Sequence, residues 1–434
     1  MTRSAKNIFT VFEHQSIYLD DKFGEVAFDG ILLKAMQDFY GKKGVPYFSL
    51  LNKGIKFCEY VGVIQIGSIT IEVLPKADND QSDENKWREA LIGMLRSVGI
   101  FNIKAPTSTS LRIKPNSILD LYIELFIQEV ECLIHSGLIK KYRKTNSNCN
   151  SLKGNILFGQ HIQQNLIHRE RFYTRHTVYD QQHILHQILY KTLLLLQRIN
   201  TNTALQSRIG SLLLNFPEQL DIKPFETTFQ KICYGRKTET YRKAIEIARL
   251  LLLNYHPNVS QGRNHVLALM FDMNKLWERF VFVSLRQHLK GHEGNLAITA
   301  QTSKYFWKPK VGSRSSIRPD IVISDSENEQ CVVLDTKWKN LNGYNPSPDD
   351  LRQLYVYHEF YNAKRVALVY PGTFETIRGV YYTKFDKIGN KECSVMGVKV
   401  LSNTNEWRKQ IGSDVVDWIN YKNEIEVSNT TVLT

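Results

Sequence analysis

The chain has 434 residues, too many for one ordinary hydrophobic core, so two or three packed units are expected. A hydrophobic fraction of 42% beside a charged fraction of 23% excludes a disordered or fibrous chain. Lysine and arginine outnumber aspartate and glutamate 56 to 43, a formal charge of +13, which favours a polyanionic partner such as nucleic acid or an acidic protein surface over plain solvated lysine faces.

The first 76 residues read as mostly β: Tyr60 to Ile66 and Ser68 to Leu74 are rich in β-branched residues and are separated by Gly67 as at a hairpin turn. Pro75 ends that pair. The polar stretch Ala77 to Asn85 reads as a linker into a helix at Trp87 to Val98. From Ser117 to about Tyr255 the apolar residues take helical spacing in Ile118 to Leu138, Ile184 to Ile199 and Tyr241 to Leu253, which predicts a mainly helical middle. After a break at Pro257 and Gly262, Val266 to Leu289 reads as one long amphipathic helix, and the remaining chain alternates short apolar runs with helices, the pattern of an α/β domain. The expected organisation is multidomain α+β: a β-rich region over 1–85, a helical region over 86–258 and an α/β region with a mixed sheet over 259–434.

The six cysteines, Cys58, Cys132, Cys149, Cys233, Cys331 and Cys393, form no C-x-x-C pair and signal neither zinc nor a disulfide framework, which fits a reducing cytosol. Met1 to Gln15 lacks an apolar signal core, and the longest aliphatic runs, Leu193 to Leu196 and Leu250 to Leu253, are too short to span a bilayer; a cytoplasmic location is the expectation. His161, His168, His176, His183 and His186 lie in a Gln-rich stretch without supporting acids or cysteines and read as a solvated helical surface.

One constellation carries chemistry. Pro319-Asp320 precedes the apolar run Ile321 to Ile323, and the run Cys331 to Leu334 ends in Asp335-Thr336-Lys337. An antiparallel hairpin of these two runs places Asp320 and Asp335 on one rim of a sheet, and the period of two sends Lys337 to the same face as Asp335. Two hard carboxylates suit Mg²⁺, and the ammonium suits a water or a phosphate, which is what phosphodiester hydrolysis requires. D-x-K recurs at Asp20 to Lys22 and Asp221 to Lys223, so the arrangement rather than the tripeptide is the signal.

Glu278, set among large apolar residues of a helix around Asn274 to Leu289, either completes a metal shell or pairs with Arg279 or another base at the helix edge. Ser347-Pro348-Asp349-Asp350 is a helix start, with Gln353 and Tyr357 on one face of the helix that follows, within reach of the site or of a phosphate; packing or exposure is the competing reading for Tyr357. Lys304, Lys308, Lys310, Arg314 and Arg318, interleaved with Tyr305, Phe306 and Trp307, suit a grip on a DNA backbone, while Phe306 and Trp307 are expected to pack into a core. Arg314, Arg318, Lys339 and Tyr357 are the candidate DNA contacts, and Asp320, Asp335, Lys337, Glu278 and Gln353 the candidate catalytic set.

These residues resemble the PD-(D/E)xK nucleases, with Gln353 to Tyr357 similar to the Q-x-x-x-Y pattern of RecB-like members. Tyr60 to Gly67, Ile71 to Lys76, Leu152-Lys153-Gly154 and Phe271 to Leu276 extend the resemblance nearly end to end, to the McrC family of modification-dependent McrBC restriction systems. The resemblance implies a restriction-endonuclease-like core in 259–434, Mg²⁺ on Asp320 and Asp335 with the Thr336 carbonyl as a further ligand, and Lys337 serving the water. It also implies that the N-terminal region docks on a ring-forming McrB-like AAA+ GTPase and stimulates it, and that the DNA is methylated double strand. No G-x-x-x-x-G-K-[ST] loop occurs, so nucleotide-driven motion is assigned to that other chain. Two rival functions remain at this level: an adaptor whose main task is to activate the motor ring, and an independent RecB-like repair nuclease.

Overall fold

The computed structural model describes residues 8–23, 26–67, 69–76, 83–98, 118–256, 266–290, 296–325, 331–339, 341 and 345–421. The polar linker expected at 77–85 lies mostly outside these residues, as do Pro257, Gly262 and the loop that joins Ile321–Asp325 to Cys331–Thr336. The chain is α+β with several sheets, and it forms two compact units: 1–64, 69–110 and 270–434 in one, 65–68 and 111–269 in the other. Among the described residues no helix is long and apolar enough to cross a membrane.

In the first unit Ile8–Phe12 runs parallel to Ile69–Leu74, which lies beside Tyr60–Ile66. The turn expected at Gly67 is there, with φ +56°, a left-handed conformation that glycine adopts without strain. The helix that follows starts earlier than its apolar spacing suggests, at Glu84, because the Asp83 carboxylate caps the Lys86 N–H at 3.0 Å.

Val266–Leu289 is not one helix. Val266–Asp272 is a strand, and a helix begins at Met273, where the Asp272 side chain accepts the Lys275 N–H. The uninterrupted run Val266 to Phe271 carries no helical polar face to lose, and the cap at Asp272 fixes the change of structure.

The second sheet of this unit positions the site. Its strand order is Leu296–Ala300, Ile321–Asp325, Cys331–Thr336, Ala363–Pro371, Ile388–Val398, Ile377–Tyr382. The three central neighbours Cys331–Thr336, Ala363–Pro371 and Ile388–Val398 are parallel and the outer pairings antiparallel, the mixed sheet expected from sequence. Helix Pro348–Tyr361 lays Leu354, Tyr357 and Tyr361 on Val322, Val333, Val366 and Leu368 of one face. Trp277 of helix Met273–Leu289 meets Trp338 at 5.4 Å and Trp407 at 5.7 Å, with its indole N–H directed to the Val369 carbonyl. Helices on both faces explain why Val332, Val333 and Leu334 are all buried and why the strands read as continuous apolar runs.

The second unit packs Ile118–His135, Ile184–Ile199 and Arg242–Leu253 as helices near their expected bounds, and adds a helix at Thr203–Asn215, capped by Asn202, that the sequence reading did not name. It also holds a sheet that helical spacing did not predict: Lys141–Cys149 pairs antiparallel with Phe172–Asp180, which pairs with Asn155–Ile156. These strands alternate between partly buried and exposed residues with apolar and polar side chains mixed on each face, so they carry no apolar alternation to betray them. The histidines of this region do not form a solvated helical surface. His176 lies on a strand, and His186 is fully buried, bonded to the Gln181 carbonyl and to the Tyr241 hydroxyl, its pKa pushed down to about 4 mainly by burial.

Candidate active site

The antiparallel register pairs Ile321 with Leu334 and Val322 with Val333, which brings Asp320 and Asp335 to the same rim, as the hairpin reading required. Asp320 Oδ2 accepts two hydrogen bonds from Thr336, one from its backbone N–H at 2.7 Å and one from its hydroxyl at 2.8 Å. Asp335 is buried, 2% exposed, and its Oδ1 accepts from Gln353 Nε2 at 3.3 Å. Its Oδ2 has no well-directed hydrogen-bond donor; the Lys337 ammonium stands 2.7 Å away as an ion-pair partner outside hydrogen-bond alignment. Burial, and then the charge of Asp320, push the Asp335 carboxyl up to about 6 against the pull of Lys337.

Lys337 has three acids around it. Burial works against its charge, but Asp335, Asp350 and Asp320 outweigh burial and hold its pKa above the ordinary lysine value. Its ammonium reaches Asp350 Oδ1 at 3.8 Å and donates to Gln353 Oε1 at 3.5 Å. Asp350, which the sequence marks only as part of a helix start, is thus a neighbour of Lys337. Ser347 caps the helix by accepting the Asp350 N–H at 3.2 Å, and that turn swings the Asp350 carboxylate towards Lys337 and towards Lys339, 2.7 Å away. Burial opposes its charge, yet the hydrogen bonds of Lys339 and Ser347 and the charge of Lys337 hold it below the usual carboxylate range.

One turn further along the helix, Gln353 Nε2 also donates to the Tyr357 hydroxyl at 2.7 Å, and that hydroxyl donates to the Arg318 carbonyl at 3.1 Å. Gln353 and Tyr357 therefore do share one face, and Tyr357 is buried rather than exposed. Burial and the Asp335 charge push its phenol well above the ordinary tyrosine value, so it stays protonated.

Glu278 accepts a 2.6 Å hydrogen bond from Gln301, a residue that carried no signal in the sequence. Gln301 has a left-handed φ of +53° and donates its backbone N–H to the Asp320 carbonyl at 3.0 Å, so one residue ties Glu278 to the rim. Burial and the Asp320 charge raise the Glu278 pKa. Among the described residues no group of three or more His, Cys, Asp or Glu side chains stands close enough to hold a metal ion. The donor set at the rim nonetheless suits a hard divalent cation: two carboxylates on one rim, one with a buried oxygen that faces the Lys337 ammonium, match Mg²⁺, which keeps several of its waters.

The candidate DNA contacts divide. Arg318 is exposed at the rim, and the Arg314 guanidinium lies over the Tyr305 ring at 5.0 Å. Lys339 is half-exposed and tied to Asp350, and Tyr357 is internal. Phe306 and Trp307 are not in a core: they are 49% and 58% exposed, on a two-stranded hairpin.

The other face of strand Cys331–Thr336 holds a further connection just past its end. Trp338, next to Lys337 and so directed oppositely, donates its indole N–H to Glu13 Oε1 at 2.6 Å, and the Lys76 N–H donates to the same oxygen at 2.7 Å. Burial pushes Glu13 up to about 7 against these bonds.

A profile of the family described as McrBC 5-methylcytosine restriction system component matches residues 55–371. Among solved structures, the half-complex from a tetradecameric assembly of Thermococcus gammatolerans McrB AAA+ hexamers with bound McrC aligns with a TM-score of 0.69 at 21% identity, covering 95% of this chain and 100% of the matched one. The cryo-EM structure of the Thermococcus gammatolerans McrBC complex aligns with a TM-score of 0.47 at 20% identity, over 66% and 89% of the two chains. No curated protein matches. The first likeness shows a shared fold, and the profile covers well over half of the sequence: the chain belongs to the McrBC 5-methylcytosine restriction system component family.

Proposed function

We propose that the chain is the nuclease subunit of a modification-dependent restriction system, a Mg²⁺-dependent endodeoxyribonuclease with a PD-(D/E)xK core. The observation that carries this reading is the convergence of Asp320, Asp335 and Lys337 on one sheet rim, with the Lys337 ammonium 2.7 Å from Asp335. Asp320 and Asp335 would hold the ion, with the Thr336 carbonyl as a further donor; once bound, the ion neutralises phosphate charge and acidifies a water.

The chain's own residues do the rest. Thr336 fixes the Asp320 carboxylate through two bonds to one oxygen, and Gln353 orients Asp335 from the helix. Lys337, kept protonated by its acidic neighbours, orients the attacking water or the phosphate by donating hydrogen bonds, and Asp350 steadies it from behind. Glu278 adds negative charge beside Asp320, and Arg318 supplies a cation at the rim for the strand being cut.

Family membership, with the Thermococcus gammatolerans half-complex of McrB AAA+ hexamers with bound McrC, supports a McrB-like AAA+ GTPase as partner and 5-methylcytosine-containing DNA as substrate. Residues 1–85 are the proposed docking region, 86–258 the helical middle and 259–434 the nuclease region. The test is cleavage of methylated and unmethylated DNA with Mg²⁺ and GTP, with and without the McrB-like protein, for the wild type and Asp335→Ala. Methylated DNA should be cut only by the wild type with its motor. Wild-type nicking by Asp335→Ala in that assembly would remove the site assignment.

A further inference from the structure

Between Gln301 and Pro319 the chain carries five cations, at 304, 308, 310, 314 and 318, and no acid. The structure folds this stretch into a hairpin, Lys304–Trp307 against Ser315–Ile317, with a register shift between Tyr305 and Trp307. Three consecutive large rings, Tyr305, Phe306 and Trp307, are 69%, 49% and 58% exposed, so much of their apolar surface faces solvent. Lys304 is engaged internally, donating to the Phe360 carbonyl at 2.8 Å and lying 4.6 Å over the Tyr361 ring. Lys308, Lys310 and Arg314 are exposed.

Beside this hairpin is a cavity of about 650 Å³, lined by Gln301, Ser303, Phe306, Arg318, Gln353 and Tyr357 among others, a size that takes a nucleotide-sized ligand. Phe306 is held edge-on by Phe360, ring centroids 5.3 Å apart at 61°, so it is a fixed wall rather than a loose side chain. Gln353 and Tyr357 belong both to this wall and to the hydrogen-bonded chain that ends on Asp335. Whatever enters the cavity therefore lies next to the catalytic rim.

We propose that this cavity receives an unpaired base of the DNA strand being cut, stacked on Phe306 and hydrogen-bonded by Gln301 and Ser303, while Lys308, Lys310 and Arg314 hold the flanking phosphates. The inference rests on the nuclease reading for the identity of the polymer. An intact duplex hides its base faces and would leave Phe306 and the cavity unused, and an acidic peptide would use the cations without the stacking ring. An unpaired base on a phosphate chain uses an aromatic face, amide and hydroxyl groups, and cations together.

The experiment uses full-length Asp335→Asn without metal, so that binding is read without hydrolysis. A 2-aminopurine probe is moved base by base through methylated duplex and single-stranded DNA. Emission should rise at one or two neighbouring positions, and single-strand affinity by anisotropy should fall roughly tenfold in the added Phe306→Ala variant, the scale of one lost base–aromatic stack. Phe306→Trp should restore both. Unchanged emission at every position together with unchanged affinity in Phe306→Ala would overturn the proposal. Failure of the nuclease reading would appear instead as absent cleavage by wild type with Mg²⁺ and motor, whatever the probe reports.

Discussion

Thr336 donates two hydrogen bonds to a single oxygen of Asp320, so the residue between the second acid and the lysine holds the first acid in place. The middle position of the D-x-K tripeptide thus acts through its side chain as well as through its place in the strand. Thr336→Val keeps the shape and removes the hydroxyl bond. Because Asp320 is only partly buried, the expected loss is about 1–2 kcal/mol by urea unfolding, with cleavage down roughly tenfold; Thr336→Ser should recover most of both. Equal cleavage by the valine and serine variants would mean that the hydroxyl does not position Asp320.

Asp335 gives a pH signature of opposite sign to most salt-bridged carboxylates. Its folded pKa, about 6, lies above its unfolded value near 3.8, so the folded state binds its proton more tightly, and stability falls as pH rises between those values. Asp335→Asn removes the charge that burial disfavours. Without metal, the variant should be more stable than wild type by on the order of 2–3 kcal/mol at pH 8 and about equal to it at pH 3.5, while cleavage is lost. Denaturant titrations at the two pH values check it; a variant less stable at pH 8 would show that the ion pair with Lys337 outweighs the burial cost.

Glu13, which bonds to Trp338, behaves in the same sense. Its pKa is raised from about 4.5 to about 7, so its contribution to stability declines as pH rises through that window. Glu13→Gln should keep an acceptor for Trp338 and Lys76 and raise stability by about 2 kcal/mol at pH 8.5 with little gain at pH 4. Glu13→Ala should cost about 2–4 kcal/mol at pH 5, because the Trp338 indole and the Lys76 N–H lose their acceptor in a dry site. Thermal unfolding of both variants across pH 4–9 decides between an acceptor role and simple filling of space.

Lys308 and Lys310 have no structural task comparable to that of Lys304, so their loss should be electrostatic alone. The Lys308→Ala/Lys310→Ala protein should keep wild-type thermal stability and show a salt slope for single-strand binding shallower by roughly one to two units, from about 0.7 per phosphate contact. An unchanged slope would place the phosphate grip elsewhere.

Tyr357 links Gln353 to the Arg318 carbonyl by its hydroxyl. Tyr357→Phe should cost about 1 kcal/mol in unfolding and lower the cleavage rate several-fold through the freed Gln353 amide, with Mg²⁺ affinity nearly unchanged. A metal affinity that falls as far as the rate would place the tyrosine in ion binding rather than in orientation.

The hairpin of Asp320 and Asp335, the face shared by Asp335 and Lys337 and the helix start at Ser347 were legible because each rests on a local rule: strand period, register or capping. The strand at Val266 was hidden because a continuous apolar run suits a helix as well as a strand, and the sheet of Lys141–Cys149 was hidden because neither of its faces is apolar. Exposure of Phe306 and Trp307 ran against the composition rule, since large rings are ordinarily core.

Local pattern and chemistry alone therefore determined the two acids, the lysine and the helix that faces them. Only the tertiary structure brought both ends of the chain into one unit, joined Glu13 to Trp338 across 325 positions, turned Asp350 towards Lys337 and opened a cavity beside the rim. The physical reason is range: backbone period and capping act over a few residues, whereas burial, ion pairing and pKa depend on which distant segments exclude water from a group, and short-range patterns in a single sequence do not encode that.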